Sequence, residues 1–299
     1  MALWNLRYTS LLLVGILLAL TAAAPTQLTS RDVSSDVLTQ LNFFAEYSAA
    51  AYCTGNVNST GNKVTCSAGN CPNVQAADTQ TLKEFFADNQ YGELAGYIAV
   101  DNTNKLIVLS FRGSRTPANW IANLDFGFED ASALCDGCEV HGGFWKAWKV
   151  VADALTTEIA NALSTYPDYT LVFTGHSLGA AIATLAATEL QTTEGYSIEL
   201  YSYGGPRVGN VELAEYITSL GDNYRVTHTD DIVPRLPPHI AGFRHSSPEY
   251  WITSANEEPV TTADVQVIEG VGSTDGNAGE ASPSTSAHAW YFFEIAKCQ

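Results

Sequence analysis

Residues Gly175–Gly179, with the sequence GHSLG, lie between a strand-like run, Tyr169–Thr174, and a helix-like run, Ala180–Leu190. A serine at such a strand-to-helix turn is typical of a nucleophile elbow, in which flanking glycines let the backbone pass close to its neighbours and the hydroxyl points into a cleft. The Leu178 N–H, at the start of the helix, then faces the oxyanion that forms when Ser177 attacks a carbonyl. The five-residue pattern alone also fits a plain glycine-rich turn, but its place between strand and helix favours the elbow.

Strands and helices alternate on both sides of this elbow. Apolar residues at helical spacing over Trp145–Leu163 predict a helix that leads into the strand before the serine. Downstream, Ile198–Tyr203 is strand-like, Val211–Leu220 is helical and Tyr224–Thr227 is strand-like again. Such alternation predicts an α/β fold, with a mostly parallel central sheet and helices on both faces. In such a sheet the reacting groups gather at the carboxyl ends of the strands.

Three further elements follow from local patterns. Helical spacing of apolar residues over Val33–Tyr52 predicts an amphipathic first helix. Two β-rich runs, Leu94–Val100 and Leu106–Phe111, flank a polar turn and predict a hairpin. A helix is expected at the C-terminus, directly after His288. No linker or internal repeat divides the chain, which indicates one large domain.

The N-terminus is typical of a secretory signal peptide, residues 1–24. It carries one basic residue, Arg7, then the apolar block Leu11–Leu20 and a run of small residues. The apolar block is shorter than the roughly 20 residues that a membrane-spanning helix needs, so an anchor is the weaker alternative. Residues 25–31 are polar and end in a basic residue, which predicts a pro-segment. The mature α/β domain would then be residues 32–299.

The chain is strongly acidic, with 14 basic and 32 acidic residues and a net charge of −18. Residues 1–31 hold two of the basic residues and none of the acidic ones, so the mature chain has 14 − 2 = 12 basic residues and a net charge of 12 − 32 = −20. Such a surface repels phosphate backbones and anionic membranes, which argues against a nucleic-acid partner. Stable membrane insertion is not expected, and nothing in the sequence implies an obligate protein partner.

Six cysteines, an even number, indicate three disulfides formed in an oxidising compartment. Spacing favours the pairs Cys66–Cys71 and Cys135–Cys138 as local clips, which leaves Cys53 to bond Cys298, although six cysteines allow about 15 pairings. A redox pair or half of a zinc site at Cys135 and Cys138 is a weaker alternative, since no second metal-like pair accompanies it. Asn58 begins an N-S-T sequon in a polar stretch, which predicts a surface glycan.

A serine hydroxyl is a poor nucleophile at neutral pH, so Ser177 needs a histidine to accept its proton and a carboxylate to orient that histidine. In this architecture the order along the chain is serine, acid, histidine. The best acids are Asp230 and Asp231, which follow a strand and therefore lie at the catalytic edge. The later histidines are His239, His245 and His288. Position favours His288, and spacing alone leaves both choices open.

Five short motifs carry a resemblance to a known family. They are Phe111–Arg115 (FRGSR), Phe173–Gly179 (FTGHSLG), Tyr203–Asn210 (YGGPRVGN), Asp231–Pro234 (DIVP) and Ala287–His288 (AH). From Asp32 onward the chain resembles the fungal class 3 triacylglycerol lipases, with feruloyl esterases as near cousins. The similarity covers essentially the whole mature chain and is most marked to the filamentous-fungal branch typified by the Thermomyces lipase.

The resemblance implies an α/β-hydrolase fold and Ser177, Asp231 and His288 as the triad. It favours Asp231 over Asp230 and His288 over the other histidines, and it supports the cysteine pairing above. It also implies that Ser114, directly after a strand, is the second oxyanion donor beside Leu178. Loss of one such donor typically costs 10²–10³-fold in rate.

The same resemblance implies a short helical lid after Ser114. In the segment Thr116–Phe126 the residues Trp120, Ile121 and Leu124 fall at neighbouring helical positions. They would form one apolar edge that covers the cleft in water and turns outward onto lipid. An ordinary amphipathic surface helix is the alternative.

The expected activity is that of a secreted carboxylic ester hydrolase, a triacylglycerol lipase that acts on lipid esters at an oil–water interface. Trp120 favours a lipase, whereas Cys138–Gly143 (CEVHGG) is more similar to the feruloyl esterases. The alternatives are therefore a soluble esterase for feruloyl or short-chain esters, a phospholipase, and a binding protein that keeps the fold without catalysis. Neither a metal ion nor an organic cofactor is implied, because the hydrolysis needs only protein groups and water.

Overall fold

The structure is a computed structural model that describes Met1 and residues 31–56, 59–89, 92–122 and 125–298. The predicted signal peptide beyond Met1, most of the pro-segment, the Asn58 sequon position and Leu124 lie outside the described residues. The side chain of Trp120 is likewise not described.

Six α-helices and thirteen strands are assigned in the described residues. The helices are α1 Ser35–Ala50, α2 Pro72–Ala76, α3 Pro117–Ala122, α4 Gly142–Thr165, α5 Leu178–Thr193 and α6 Val211–Leu220. The strands are β1 Arg31–Asp32, β2 Thr79–Asn89, β3 Gly92–Asp101, β4 Leu106–Phe111, β5 Phe128–Asp130, β6 Glu139–His141, β7 Thr170–His176, β8 Ile198–Tyr203, β9 Asn223–His228, β10 Glu249–Ile252, β11 Val265–Ile268, β12 Trp290–Tyr291 and β13 Phe293–Glu294.

A nine-stranded sheet forms the centre of the molecule, in the order β1-β11-β10-β9-β8-β7-β4-β3-β2. Its five central strands, from β10 to β4, run parallel to one another, as the alternation of strands and helices predicts. The strands at both edges are antiparallel, and β3 and β4 form the predicted hairpin. The fold is therefore a single-domain α/β-hydrolase fold, and the prediction of fold class is confirmed.

Alternate residues of the central strands point to two separate cores. Ile107 and Leu109 of β4 pack with α4 and α5 on one face of the sheet, whereas Val108 packs with α1 on the other face. This is the two-residue period of a strand that is buried on both faces. Helices therefore cover both faces, and the sheet edge where the parallel strands end stays available for a functional site.

Side-chain caps begin several helices where the sequence changes from extended to helical. The Ser34 hydroxyl accepts a hydrogen bond from the Val37 N–H at α1, and the Asn210 side chain accepts one from the Leu213 N–H at α6. Such caps satisfy N–H groups that have no partner within the helix. Asn210 also donates to the Gly137 carbonyl, so it ties α6 to the loop before β6.

The C-terminus differs from its prediction. The expected helix after His288 is wrong: a single 3₁₀ turn, Ala287–Ala289, leads into the short antiparallel strands β12 and β13. Phe292 links these strands with a positive φ of 65°, a conformation that a helix interior does not contain. The buried residues of this segment, Tyr291 and Ile295, pack into the core on the α1 face, and this tertiary burial replaces helical packing.

Three disulfides are present in the expected pairing, Cys53–Cys298, Cys66–Cys71 and Cys135–Cys138. Cys53 follows α1, so the first of these bonds ties the first helix to the C-terminal segment. None of the helices in the described part of the chain is long and apolar enough to cross a membrane.

We expect the long-range disulfide to contribute most to stability. Cys53–Cys298 spans 245 residues and Cys66–Cys71 spans 5, while three of these four cysteines are almost fully buried. Loop-closure entropy predicts a loss of about 5 kcal/mol when Cys53 and Cys298 are both replaced by Ala, against about 2 kcal/mol for Cys66 and Cys71. Urea unfolding of the two double variants measures both losses. Equal losses would show that local packing, and not loop closure, sets the effect.

Candidate active site

Ser177 lies at the turn between β7 and α5 in a backbone conformation that side chains rarely adopt. Its φ is 60° and its ψ is −127°. Such strain costs on the order of 1–3 kcal/mol and persists only where the surroundings enforce it. The flanking glycines provide that setting, since a Cβ at Gly175 would lie 2.5 Å from the Gly179 backbone, and one at Gly179 would lie 2.2 Å from the Phe111 carbonyl oxygen. The predicted elbow is therefore present.

Among the described residues, the His288 ring is hydrogen-bonded through Nδ1 and not through Nε2. Its Nδ1 lies 2.8 Å from Oδ2 of Asp231, and both side chains are buried. Because a carboxylate accepts, Nδ1 carries the proton, and Nε2 of a neutral ring keeps its lone pair. His288 Nε2 and Ser177 Oγ are both buried and have no hydrogen-bond partner among the described residues. Buried polar atoms without partners are rare in proteins and mark places where chemistry needs an available group.

Three groups converge on the Asp231 carboxyl. Besides His288, the Tyr291 hydroxyl donates to Oδ2 at 2.5 Å and the Val233 N–H donates to Oδ1 at 2.9 Å. The backbone next to it is held by Asn277, whose side-chain amide donates to the Asp231 carbonyl oxygen at 2.9 Å. The carboxyl is therefore fixed in position before it orients the histidine.

The neighbouring candidates do not form this arrangement. The Asp230 carboxyl accepts from the Thr229 hydroxyl, one residue away. His245 donates from Nε2 to the Pro234 carbonyl oxygen, and His239 lies in a separate 3₁₀ turn, His239–Ala241. Of the acids and histidines that the spacing left open, the structure brings together Asp231 and His288.

His176 packs behind the elbow, as a buried neutral ring. Its Nδ1 accepts from the Tyr52 hydroxyl at 2.7 Å, and its Nε2 donates to the His288 carbonyl oxygen at 2.9 Å. Burial, together with the neighbouring His288, holds the pKa of His176 well below the ordinary value. The rings of His176 and His288 stack with centroids 4.6 Å apart. His176 therefore supports the backbone and ring of His288 without bonding to Nε2 of His288.

The two expected oxyanion donors lie at the ends of neighbouring elements. Leu178 opens α5, so its N–H is one of the first helical N–H groups, which lack partners within the helix. Ser114 lies shortly after β4, the strand that pairs in parallel with β7. Its half-buried side chain accepts a hydrogen bond from the Thr116 N–H at 3.2 Å. Leu178 therefore follows the carboxyl end of β7, and Ser114 follows the carboxyl end of the adjacent strand β4.

The expected lid segment contains the short helix α3, in which Ile121 is half-buried. The segment ends at a fixed point, because Nε2 of His141 donates to the Asp125 carbonyl oxygen. Nδ1 of the same ring accepts from the Phe144 N–H and caps α4. His141 thus links the end of the segment to a long buried helix.

Within the part of the chain that the structure describes, no separate metal centre is indicated. The only group of potential ligands close enough together in the described residues is Cys53, Cys66 and Cys298, and their sulfurs are in disulfides.

Sequence reasoning missed Tyr291 and Asn277, which hold the Asp231 loop. Each lies more than forty residues from the aspartate along the chain, with separations of 60 and 46. Neither belongs to a recognisable motif. The only available signal was the position of Tyr291 three residues after His288, which is too weak to assign a hydrogen bond.

Known proteins share this fold and much of this sequence. The family described as "Lipase (class 3)" matches residues 108–240, and "Lipase 3 N-terminal region" matches residues 9–83. The chain is 47% identical to the secreted mono- and diacylglycerol lipase A of Penicillium cyclopium over 91% of this chain and 90% of that protein. It is 40% identical to the secreted mono- and diacylglycerol lipase 1 of Fusarium solani, over 89% and 79%.

A solved structure also shows the similarity to fungal lipases. The mono- and diacylglycerol lipase from Aspergillus oryzae superimposes with a TM-score of 0.84 at 44% identity, covering 89% of this chain and all (100%) of that one. Fold and site together define an α/β-hydrolase that cleaves ester bonds. The chain belongs to the class 3 lipase family, and the resemblance seen in its motifs is confirmed.

We expect stability to fall on acidification because buried histidines are held neutral. Burial lowers the pKa of both His141 and His176. Below the unfolded pKa of about 6.5 the unfolded chain binds protons that the folded chain does not, so each histidine lowers stability by up to about 1.4 kcal/mol per pH unit. His141→Asn keeps an acceptor for the α4 cap and removes the titration.

Urea unfolding of both proteins between pH 7.5 and 5.5 measures this difference. The wild type should lose more stability on acidification than His141→Asn. Parallel pH dependences would mean that His141 does not stay neutral in the folded protein.

Proposed function

We propose that this lipase hydrolyses acylglycerols outside the cell, at oil–water interfaces, through Ser177, Asp231 and His288. One observation carries the proposal: among the described residues Ser177 Oγ and His288 Nε2 are buried and have no hydrogen-bond partner, while Nδ1 of the same ring is hydrogen-bonded to Asp231. A nucleophile and a base that both lack other partners, with the base oriented by a carboxylate, meet the requirements of covalent ester hydrolysis.

In the first half of the reaction Ser177 Oγ attacks the ester carbonyl and His288 Nε2 takes its proton. The carbonyl oxygen becomes an oxyanion, which the Leu178 N–H and a Ser114 donor stabilise. The histidine gains a positive charge in this step, and Asp231 stabilises that charge. His288 then gives the proton to the leaving alcohol, and an acyl-enzyme remains on Ser177.

In the second half a water molecule takes the place of the alcohol. His288 removes a proton from the water as it attacks the acyl carbonyl, and the same oxyanion donors are used again. The fatty acid leaves, and the proton returns to Ser177. Each step needs only protein groups and water.

The substrates are proposed to be partial acylglycerols in preference to triacylglycerols. The sequence motifs led to an expectation of triacylglycerols, and the names of the relatives refine it. The relatives that are 47% and 40% identical are both named mono- and diacylglycerol lipases. Initial rates on emulsified diolein and triolein test the preference, and a higher rate on triolein would reverse it.

Export is part of the proposal. Residues 1–24 would act as a signal peptide and residues 25–31 as a pro-segment, which leaves 32–299 as the mature enzyme. The same two relatives are named secreted lipases, and three disulfides suit an oxidising compartment. A glycan on Asn58 would be added on the same route.

A second candidate is a soluble esterase that acts on feruloyl or short-chain esters. It rests on Cys138–Gly143, whose sequence is more similar to the feruloyl esterases. Activity on methyl ferulate above that on emulsified acylglycerols would favour this candidate.

Substitutions in the triad should abolish hydrolysis and leave the fold intact. We expect Ser177→Ala to lower the rate at least 10³-fold, because the attacking atom is lost. Asp231→Asn should remove most activity through loss of tautomer control and charge stabilisation. Asp230→Asn is the matched control, and its turnover of a dissolved ester should stay near the wild-type value. Inactivity of the control together with full activity of Asp231→Asn would show that the wrong neighbour was assigned.

The lid is proposed to act only at an interface. Replacement of Trp120, Ile121 and Leu124 by Ser removes an apolar edge, and full burial of each such side chain is worth about 1.5–3 kcal/mol. We expect the rate on emulsified diolein to fall about tenfold or more. Turnover of a short-chain ester below its solubility limit should change little, because it needs no adsorption. An equal fall on both substrates would indicate a fixed wall of the pocket, as in a soluble esterase.

A further inference from the structure

An isoleucine is almost fully exposed at a turn that follows Asp231 along the chain. Ile240, in the 3₁₀ turn His239–Ala241, has 97% of its surface exposed. Apart from Met1, the other exposed large hydrophobic side chains of the described residues are far less so, with Phe86 next at 59%. Single exposed apolar residues are ordinary in proteins, so exposure by itself does not assign a function.

The turn that carries Ile240 is rigidly held. Arg207 donates from Nη1 to the Pro237 carbonyl oxygen at 2.8 Å, and Arg244 donates from Nη1 to the His239 carbonyl oxygen at 2.9 Å. Gly242 ends the turn in a left-handed conformation, with a φ of 94°. The turn is therefore already ordered. When Ile240 is buried against another surface, no free energy is lost in ordering the loop that carries it.

The turn also packs next to the end of the expected lid segment. Ile240 follows Asp231 by nine residues along the chain, and Phe243, just after the turn, stacks on Phe128 of β5 with ring centroids 4.1 Å apart. β5 is the first strand after the lid segment, and Phe126, just before it, has 43% of its surface exposed. Ile240 is thus on a turn that packs against β5, the strand directly after the expected lid segment.

Charge restricts what this apolar site can meet. The whole chain has a net charge of −18, which opposes approach to an anionic surface. His239, next to the isoleucine, is neutral at neutral pH, because burial and the nearby Arg207 and Arg244 lower its pKa to about 4. An uncharged oil surface suits an exposed isoleucine beside a neutral histidine on an acidic protein.

We infer that Ile240 is a fixed anchor that inserts into the uncharged acylglycerol surface and holds the active site against it. The inference rests on the proposed function as an interfacial lipase. It differs from the lid in one respect: the anchor is exposed before contact with oil and needs no opening. Ile240 would therefore act at first adsorption, and the lid would act afterwards.

The test measures adsorption apart from catalysis. Binding to triolein droplets is followed in the catalytically inactive Ser177→Ala protein, with and without Ile240→Ser, so that hydrolysis does not change the surface. Loss of one buried isoleucine side chain should weaken partition onto the droplets about tenfold. Ile240→Leu should restore it. Val150→Ser is the matched control, since Val150 is also an exposed β-branched residue, with 49% of its surface exposed, but lies on α4, outside both the turn and the expected lid segment.

In an otherwise wild-type enzyme, Ile240→Ser should leave turnover of a dissolved short-chain ester unchanged. Unchanged adsorption of Ile240→Ser, or an equal loss in Val150→Ser, would overturn the anchor and leave the lipase proposal standing. A change of oligomeric state by light scattering, with adsorption unchanged, would assign Ile240 to contact between two copies of the chain and would also overturn it. If the wild type failed to hydrolyse any emulsified acylglycerol, the proposed function would fall, while the droplet-binding result would still be measurable.

Discussion

The buried Asp231 carboxyl is the constraint on which the active-site half of the molecule depends. A carboxyl group removed from water is tolerated only when donors surround it, and here the donors come from distant parts of the chain. The Val233 N–H is local, but His288 and Tyr291 both belong to the C-terminal segment. The chain must therefore return over the sheet edge after β11. The Cys53–Cys298 bond holds that return to the end of α1.

The serine side of the site depends on strain and close packing instead of on charge. Ser177 keeps a positive φ because the glycines of the elbow allow β7, α5 and the end of β4 to approach at backbone distance. His176 joins the two halves, since it accepts from the Tyr52 hydroxyl and donates to the His288 carbonyl oxygen. Ser177 and His288 are thus oriented by a rigid scaffold, which is the condition that preorganised catalysis sets for the proposed nucleophile and base.

Side-chain contacts hold the segments at the rim of the candidate site in place. His141 fixes the end of the expected lid segment to α4, and Phe243 stacks on the strand that follows. These contacts hold the segments that lie beside the short helix α3, and these segments form the rim of the candidate site. On an acidic protein, such a rim can meet a neutral lipid surface through apolar contact, because charge contributes repulsion from anionic surfaces and little attraction to neutral ones.

The sequence by itself determined the elbow at Ser177, the order of strands and helices around it and the mostly parallel character of the sheet, because these depend on local periodicity and glycine placement. Its motifs also pointed to Asp231 and His288. Only the tertiary structure decided that Tyr291 and Asn277 hold the aspartate, and that two short strands replace the predicted C-terminal helix. These features arise from hydrogen bonds and burial between residues tens of positions apart, and such contacts leave no periodic signal in the chain.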